Sequence, residues 1–314
     1  MVNVLVAGAI NWDTTIFISE FPRAGGEAAV SKIKRVPGGK GGNVAVAAAK
    51  ILGPGRVAIF GALGNDPIGK EHLRIFKQYG IDTSTLSLLA KTDSGQAYIL
   101  VDEHGENLIL THFGANGKVG LRHRTRRTLS RLMSRASILV VRDPPLRAAR
   151  DLLRMARDRV GLRVWDPGIR ALRGMRPAQE IVSDVDYLVA NEIEIEWLTG
   201  RSNPNLAARR LRRVNPHIRL IVTLGARGSH LIGDSEQIRM PAVKLSRLGL
   251  KVVNTVGCGD AFVGVFSAAK AEGLEDKEAL HWASVGAAIK ASRWETRGSP
   301  NRKELEYYLR RVPA

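Results

Sequence analysis

The chain has 314 residues, 44% hydrophobic and 25% charged, proportions that fit a globular protein with a sizeable core and exclude a disordered one. Its one cysteine, Cys258, excludes an internal disulfide framework, and no run approaches the roughly 20 apolar residues that span a bilayer as a helix. A net charge of +18 leaves two readings open: a polyanion partner, or a basic surface around a site for small anions.

The N-terminal stretch MVNVLVAGAI lacks the basic n-region of a secretory signal, so a cytoplasmic protein is expected. Its apolar part (2–10) predicts a strand. Further strands are expected at 56–64, 137–143, 163–168, 186–191 and 219–225, with helices at 43–52, 70–80, 146–161 and 205–214 between them. Short apolar runs alternating with helix-length segments give an α/β fold with a mostly parallel sheet, and near-continuous apolar strands imply burial on both faces. Residues 14–36 and 94–114 break this rhythm, being β-rich without an intervening helix, with a turn at Glu103–Glu106. They are expected to form one small β-sheet lid over the carboxyl edge of the main sheet, inserted in a single domain spanning 1–314. The densest basic run, LRHRTRRTLSRLMSR (121–135), reads as a surface helix with Arg127, Arg131 and Arg135 on one face and Leu129, Leu132 and Met133 on the other. No zinc-finger spacing or RNA-recognition motif accompanies it, so any nucleic-acid binding is expected to be non-specific.

Three glycine-rich stretches invite a phosphate reading. GNDPIGKE (64–71) nearly matches the P-loop pattern but ends in Glu71, where that loop needs a hydroxyl, so a turn and helix start is expected instead. PGGKGGNVAVAAAK (37–50) lets backbone approach a ligand and opens a small-residue helix, with Lys40 and Asn43 at the mouth. NTVGCGDAFVGVFSAAK (254–270) has the same design with an acid added. Gly257, Cys258 and Gly259 turn into a helix that begins near Asp260, which places N–H donors and a proton acceptor at one spot. A further loop, TLGARGS (223–229), follows a strand and fits a polyphosphate.

GGKGGN and NTVGCGD, with GAINWDTT, SGQAYILV…GENLI…GAN, NEIEIEWLTG and TLGARGS in order between and around them, resemble the signatures of the ribokinase (PfkB) family of carbohydrate kinases across nearly the whole chain. The resemblance implies a Rossmann-like sheet with a β lid, and transfer of the γ-phosphoryl group of ATP to a sugar hydroxyl with Mg²⁺. It makes Asp260 the base and the amides of Gly257, Cys258 and Gly259 an anion hole, with the Cys258 thiol a small spectator whose pKa a helix N-terminus can lower. Asn11, Asp13, Gly39, Lys40, Asn43 and Asp143 would bind the acceptor, although the family carries glutamate at the Asp143 position. Asn191, Thr223, Gly225, Gly228 and Ser284 would bind the nucleotide, and Glu194 would act on Mg²⁺ through water. Asn254 stands where the family usually has aspartate, and 290–301 is longer than the usual form, so a K⁺ requirement is left open. Ribose is the first acceptor to test; a nucleoside or a sugar phosphate stays open, as does, more distantly, a nucleic-acid-binding protein on the same scaffold. Exposed lid edges would suit a homodimer.

Overall fold

The computed structural model of the protein describes residues 2–121 and 123–312, so that Arg122 of the basic run lies outside the described residues. The chain begins with β1 (Val4–Gly8), β2 (Asn11–Ile18), β3 (Val30–Gly38), α1 (Lys40–Leu52), β4 (Val57–Gly64), α2 (Pro67–Gln78) and β5 (Asp82–Leu89). It continues through β6 (Gly95–Val101), β7 (Asn107–His112), α3 (His123–Met133), β8 (Ile138–Arg142), α4 (Leu146–Ala156) and β9 (Leu162–Asp166). Then come α5 (Met175–Val182), β10 (Tyr187–Asn191), α6 (Glu192–Thr199), α7 (Pro204–Arg212), β11 (Arg219–Thr223), β12 (Ser229–Ile232) and β13 (Gln237–Met240). The last elements are α8 (Cys258–Ala271), α9 (Asp276–Ala291) and α10 (Arg302–Leu309).

Among the described residues the main sheet has nine strands in the order β13-β12-β11-β10-β9-β8-β1-β4-β5. Pairing is parallel from β11 to β5, and β12 and β13 close one edge antiparallel. The two-residue period of a strand sends alternate side chains to opposite faces. Val4, Val6, Ile138 and Val140 join the core under α1, α2, α8, α9 and α10. Leu5, Ala7, Leu139 and Val141 join the core under the helices from α3 to α7. This two-sided burial is why the central strands read as unbroken apolar runs. Every main-sheet strand expected from sequence is present, with ends shifted by a few residues. Strands β5, β12 and β13 were not anticipated: β5, at the sheet's edge, opens on four polar residues, and the other two are four residues long.

In α3, Leu129, Leu132 and Met133 are buried and Arg127 and Arg131 are exposed, as its pattern requires; Arg135 is exposed just past the helix end. GNDPIGKE is a helix start: Asp66 caps α2 by accepting the Gly69 N–H at 2.7 Å, and Pro67 occupies the first turn.

A second sheet of four strands runs β3-β2-β6-β7. β2 pairs with β6 in parallel, and β3 and β7 flank that pair antiparallel. The segments 14–36 and 94–114 therefore do share one sheet, which starts slightly earlier, at Asn11, in register with Gly38 and Gly95. Helices α1 and α8 pack very closely, since a Cβ on Gly264 would lie 2.5 Å from the Ala47 Cβ. The small residues of both helices permit that approach, and it brings their N-terminal turns together beside the carboxyl ends of β1 and β8.

Candidate active site

The carboxyl ends of the parallel strands form a single line. Gly8 of β1 is level with Arg142 of β8, Arg142 with Asp166 of β9, and Asn191 of β10 with Thr223 of β11. Open parallel sheets bind ligands along this edge.

At its centre is Asp260, buried in the first turn of α8. Its Oδ2 accepts a hydrogen bond from Asn43 Nδ2 at 2.8 Å, joining the two glycine-rich stretches across 217 positions of sequence. Its Oδ1 accepts from Arg142 Nε at 3.2 Å and Nη2 at 3.0 Å, while Arg142 Nη1 reaches Asp166. A carboxylate offers about four lone-pair directions, so Asp260 retains room for a hydroxyl donor. Gly257 caps α8 at φ 86°, in the left-handed region, where a Cβ would also lie 2.5 Å from the Thr296 carbonyl oxygen. Only glycine meets both conditions. Of the loop amides, that of Cys258 donates to the Thr255 carbonyl at 3.1 Å. The amides of Gly257, Gly259 and Asp260 have no backbone acceptor among the described residues. Burial pushes the pKa of the Cys258 thiol up, against the pull of Lys290 and reinforced by Asp260.

The glycines of the first stretch serve the protein's own packing. A Cβ on Gly38 would fall 1.9 Å from the Asp13 carboxylate, one on Gly39 2.2 Å from the Asn11 nitrogen, and one on Gly41 2.6 Å from Gly8. The Gly41 and Gly42 N–H groups donate to the Ala9 carbonyl. Two of the loop's amides are therefore spent within the protein, and its mouth carries the Lys40 and Asn43 side chains. Asp13 is buried, and none of the described residues donates a hydrogen bond to its carboxylate. Burial raises its pKa to about 7, offset in part by Arg297 and reinforced by Asp260. Asn11 is oriented by Asn116, whose Nδ2 donates to its Oδ1 at 2.7 Å. Asp143 sits at φ 59°, an uncommon conformation for a non-glycine residue. It faces Lys40 at 3.8 Å and Arg170 at 3.3 Å. Burial raises its pKa while those two cations oppose the rise.

On the other side, Asn191 and Glu194 form a reciprocal capping box on α6, with Glu194 Oε2 accepting the Asn191 N–H at 3.0 Å and Asn191 Oδ1 accepting the Glu194 N–H at 2.8 Å. Thr223 ends β11, and Gly225 and Gly228 lie on the turn from β11 to β12. Gly225 (φ 57°) faces open space, whereas a Cβ on Gly228 would meet the Met240 carbonyl at 2.0 Å. Ser284 is buried mid-way along α9, and no hydrogen bond joins it to these residues among those described.

Four residues escaped the sequence reading. Arg142 and Arg297 hold the site together, and His72 and Asn116 support it. Arg297 is buried, donating from Nε to Asn43 Oδ1 at 3.2 Å and from Nη2 to the Gly38 carbonyl at 2.8 Å. Burial lowers its pKa to about 10. His72 places one ring nitrogen 3.0 Å from the Asn11 carbonyl and the other 3.3 Å from Arg297 Nη2. A carbonyl can only accept and a guanidinium only donate, so Nε2 carries the proton and Nδ1 accepts. Burial, then Arg297, push its pKa down to about 3, which keeps the ring neutral. Asn116 alone had a signal in sequence, the GAN that follows the lid segment.

Residues 1–303 match the pfkB family of carbohydrate kinases. The chain belongs to that family. It is 29% identical to ribokinase of Schizosaccharomyces pombe, covering 93% of each chain. It is also 28% identical to an ATP-dependent ribose-1-phosphate kinase of Halopiger xanaduensis, covering 98% of each. The crystal structure of ribokinase from Thermotoga maritima superposes with a TM-score of 0.85 at 26% identity, covering 99% of this chain and all of that one. As a family member the chain has the expected α/β fold, with its mostly parallel sheet, flanking helices and second small sheet.

Proposed function

We propose that this carbohydrate kinase transfers the γ-phosphoryl group of ATP to a hydroxyl of ribose. The observation that carries the reading is the meeting of Asn43, Arg142 and Asp260 at the N-terminus of α8, beside loop amides with no backbone acceptor. In the reaction Asp260 takes the proton of the acceptor hydroxyl as its oxygen bonds to the γ-phosphorus, and the bond from that phosphorus to the β-bridging oxygen breaks, releasing ADP. The Gly257, Gly259 and Asp260 amides, with the positive end of the helix, offset charge on the transferring group.

Asp13 supports the acceptor assignment. A buried carboxylate without a protein donor suits sugar hydroxyls, which supply donors in its place. Asn11, Gly39, Lys40, Asn43 and Asp143 complete that side. Asn191, Thr223, Gly225, Gly228 and Ser284 are assigned to ATP. For Mg²⁺, the donor set fits an ion carried largely by water and phosphates: Glu194 spends one oxygen on its capping box and keeps the other. Mg²⁺ would neutralise phosphate charge there. The small sheet is read as a lid, formed by about 14–36 and 94–114 of one ribokinase-like kinase domain, that shuts water from the site.

A second reading, a phosphorylated sugar as acceptor, is favoured by Lys40 and Arg170 converging on Asp143 and by the ribose-1-phosphate kinase relative. Coupled ADP release against pentoses, hexoses, nucleosides and sugar phosphates separates the two. Ribose is expected to give the highest kcat/KM, ribose 1-phosphate leading supports the second reading, and no ADP release with any acceptor overturns both.

A further inference from the structure

The family resemblance implies a monovalent cation near the anion loop, and the residues present do not fit one. At position 254 an amide replaces the usual carboxylate, and both its ends are engaged. Asn254 Nδ2 donates to the Trp294 carbonyl at 2.8 Å, and its Oδ1 accepts the Val256 N–H at 3.0 Å. Five carbonyls of these segments are held by the chain's own cations. Lys290 Nζ donates to the carbonyls of Asn254 at 2.9 Å and Arg293 at 3.2 Å. Lys50 Nζ donates to those of Arg297 and Ser299, both at 2.9 Å. Arg293 Nη1 lies 3.2 Å from the Gly298 carbonyl and 3.3 Å from that of Ser299.

Lys290 is the notable member, because its side chain is fully buried (0% exposed) in the last turn of α9. A buried ammonium is costly unless oxygen atoms replace its water, and carbonyls from two separate segments do so here. Those segments also touch at the anion loop, where Gly257 lies against the Thr296 carbonyl. We propose that the Lys290 ammonium is a built-in cation, tying residues 254–257 to 293–299 and so fixing the anion loop without potassium. Lys290 is thus a positioning residue. It touches no reacting atom and acts through the backbone that carries Gly257.

The turnover arm of the test rests on the kinase reading, while the binding arms stand apart from it. Wild-type turnover and ADP affinity should be equal in potassium chloride and in tetramethylammonium chloride at one ionic strength. Thallium(I), a potassium mimic, should show no saturable binding by equilibrium dialysis. Potassium activation of the wild type, or a saturable thallium site, would overturn the proposal. Lys290→Met should lose at least about tenfold in kcat in potassium-free buffer and recover part of it in ammonium or potassium chloride. A folded Lys290→Met with normal turnover, or with a loss that neither ion eases, counts against it. If Lys290→Met does not fold, the wild-type thallium and ADP measurements still decide the question. If no acceptor is phosphorylated, the kinase reading fails, while thallium and ADP binding still judge Lys290.

Discussion

At the scale of single residues, Asp260 and Asp13 are two carboxylates of one site with opposite surroundings. Asp260 has donors on both oxygens, from Asn43 and Arg142, and is held as an oriented acceptor. Asp260→Asn keeps the shape but cannot take a proton. It should cut turnover on the order of 10²–10⁴-fold and leave ATP affinity, measured by calorimetry, within about twofold; retained turnover would remove the base from Asp260. Asp13 has no donor among the described residues, and its pKa rises from 3.8 to about 7, first through burial. Between those two values the folded state binds the proton and the unfolded state does not, so stability falls as pH rises through the window. Asp13→Asn should therefore match the wild type in thermal unfolding near pH 4 and become more stable above pH 7, by on the order of a few kcal/mol. A gap independent of pH would refute the assignment. Asp260 and Asp13 stood out in sequence because their motifs are short and local. Arg142 and Arg297 did not, because among 48 Lys and Arg nothing local marks them, and their contacts to Asp260 and Asn43 span 118 and 254 positions.

At the scale of elements, the central strands were legible because burial on both faces leaves unbroken apolar runs, as in Val4–Gly8 and Ile138–Arg142. Strand β5 was not, since Asp82, Thr83 and Ser84 give it a polar start and one side of it is open. The glycines of 37–42 announced a close approach, and the protein atoms that come close, Asp13, Asn11 and Gly8, were hidden in long-range contacts. The segment after α9 reads as an irregular tail, and yet it delivers Arg297 under α1. There Arg297 anchors Asn43, the Gly38 carbonyl and His72 at once, coupling the small sheet, α1 and α2. Arg297→Met should cost roughly 3 kcal/mol in denaturant unfolding, because Asp13 loses the nearby positive charge. In the fraction that folds, kcat should fall more than the KM for ATP changes, because Asn43 is no longer held against Asp260. Stability and kcat both at wild-type values would show the network to be dispensable.

At the scale of the whole molecule, charge and exposed apolar surface point in different directions. The excess positive charge is spread over surface helices such as α3 and α7, and it favours weak, salt-sensitive attraction to any polyanion. The small sheet carries one cluster of the exposed apolar residues. Among the described residues its strand β7 pairs on one side only, with β6, and presents Leu108, Ile109 and Leu110 at 45%, 59% and 55% exposure. Across the sheet, β3 adds Val30 at 50% and Ile33 at 46%. An exposed edge strand with three apolar residues in a row invites strand pairing or sheet packing. A second copy of this chain supplies the same strand, so a two-fold pairing would satisfy both partners with one surface. The wild type is accordingly expected to sediment as a dimer at micromolar concentration, with a mass that changes little between low and moderate salt, since apolar burial is not screened. Ile109→Lys with Leu110→Glu should shift the species to a monomer while the main sheet keeps its unfolding midpoint. Because the same sheet carries Asn11 and Asp13 at its base, the monomer should also bind the acceptor more weakly, raising its KM more than that of ATP. A wild type that sediments as a monomer, or a double variant that stays dimeric, would move the interface off the small sheet.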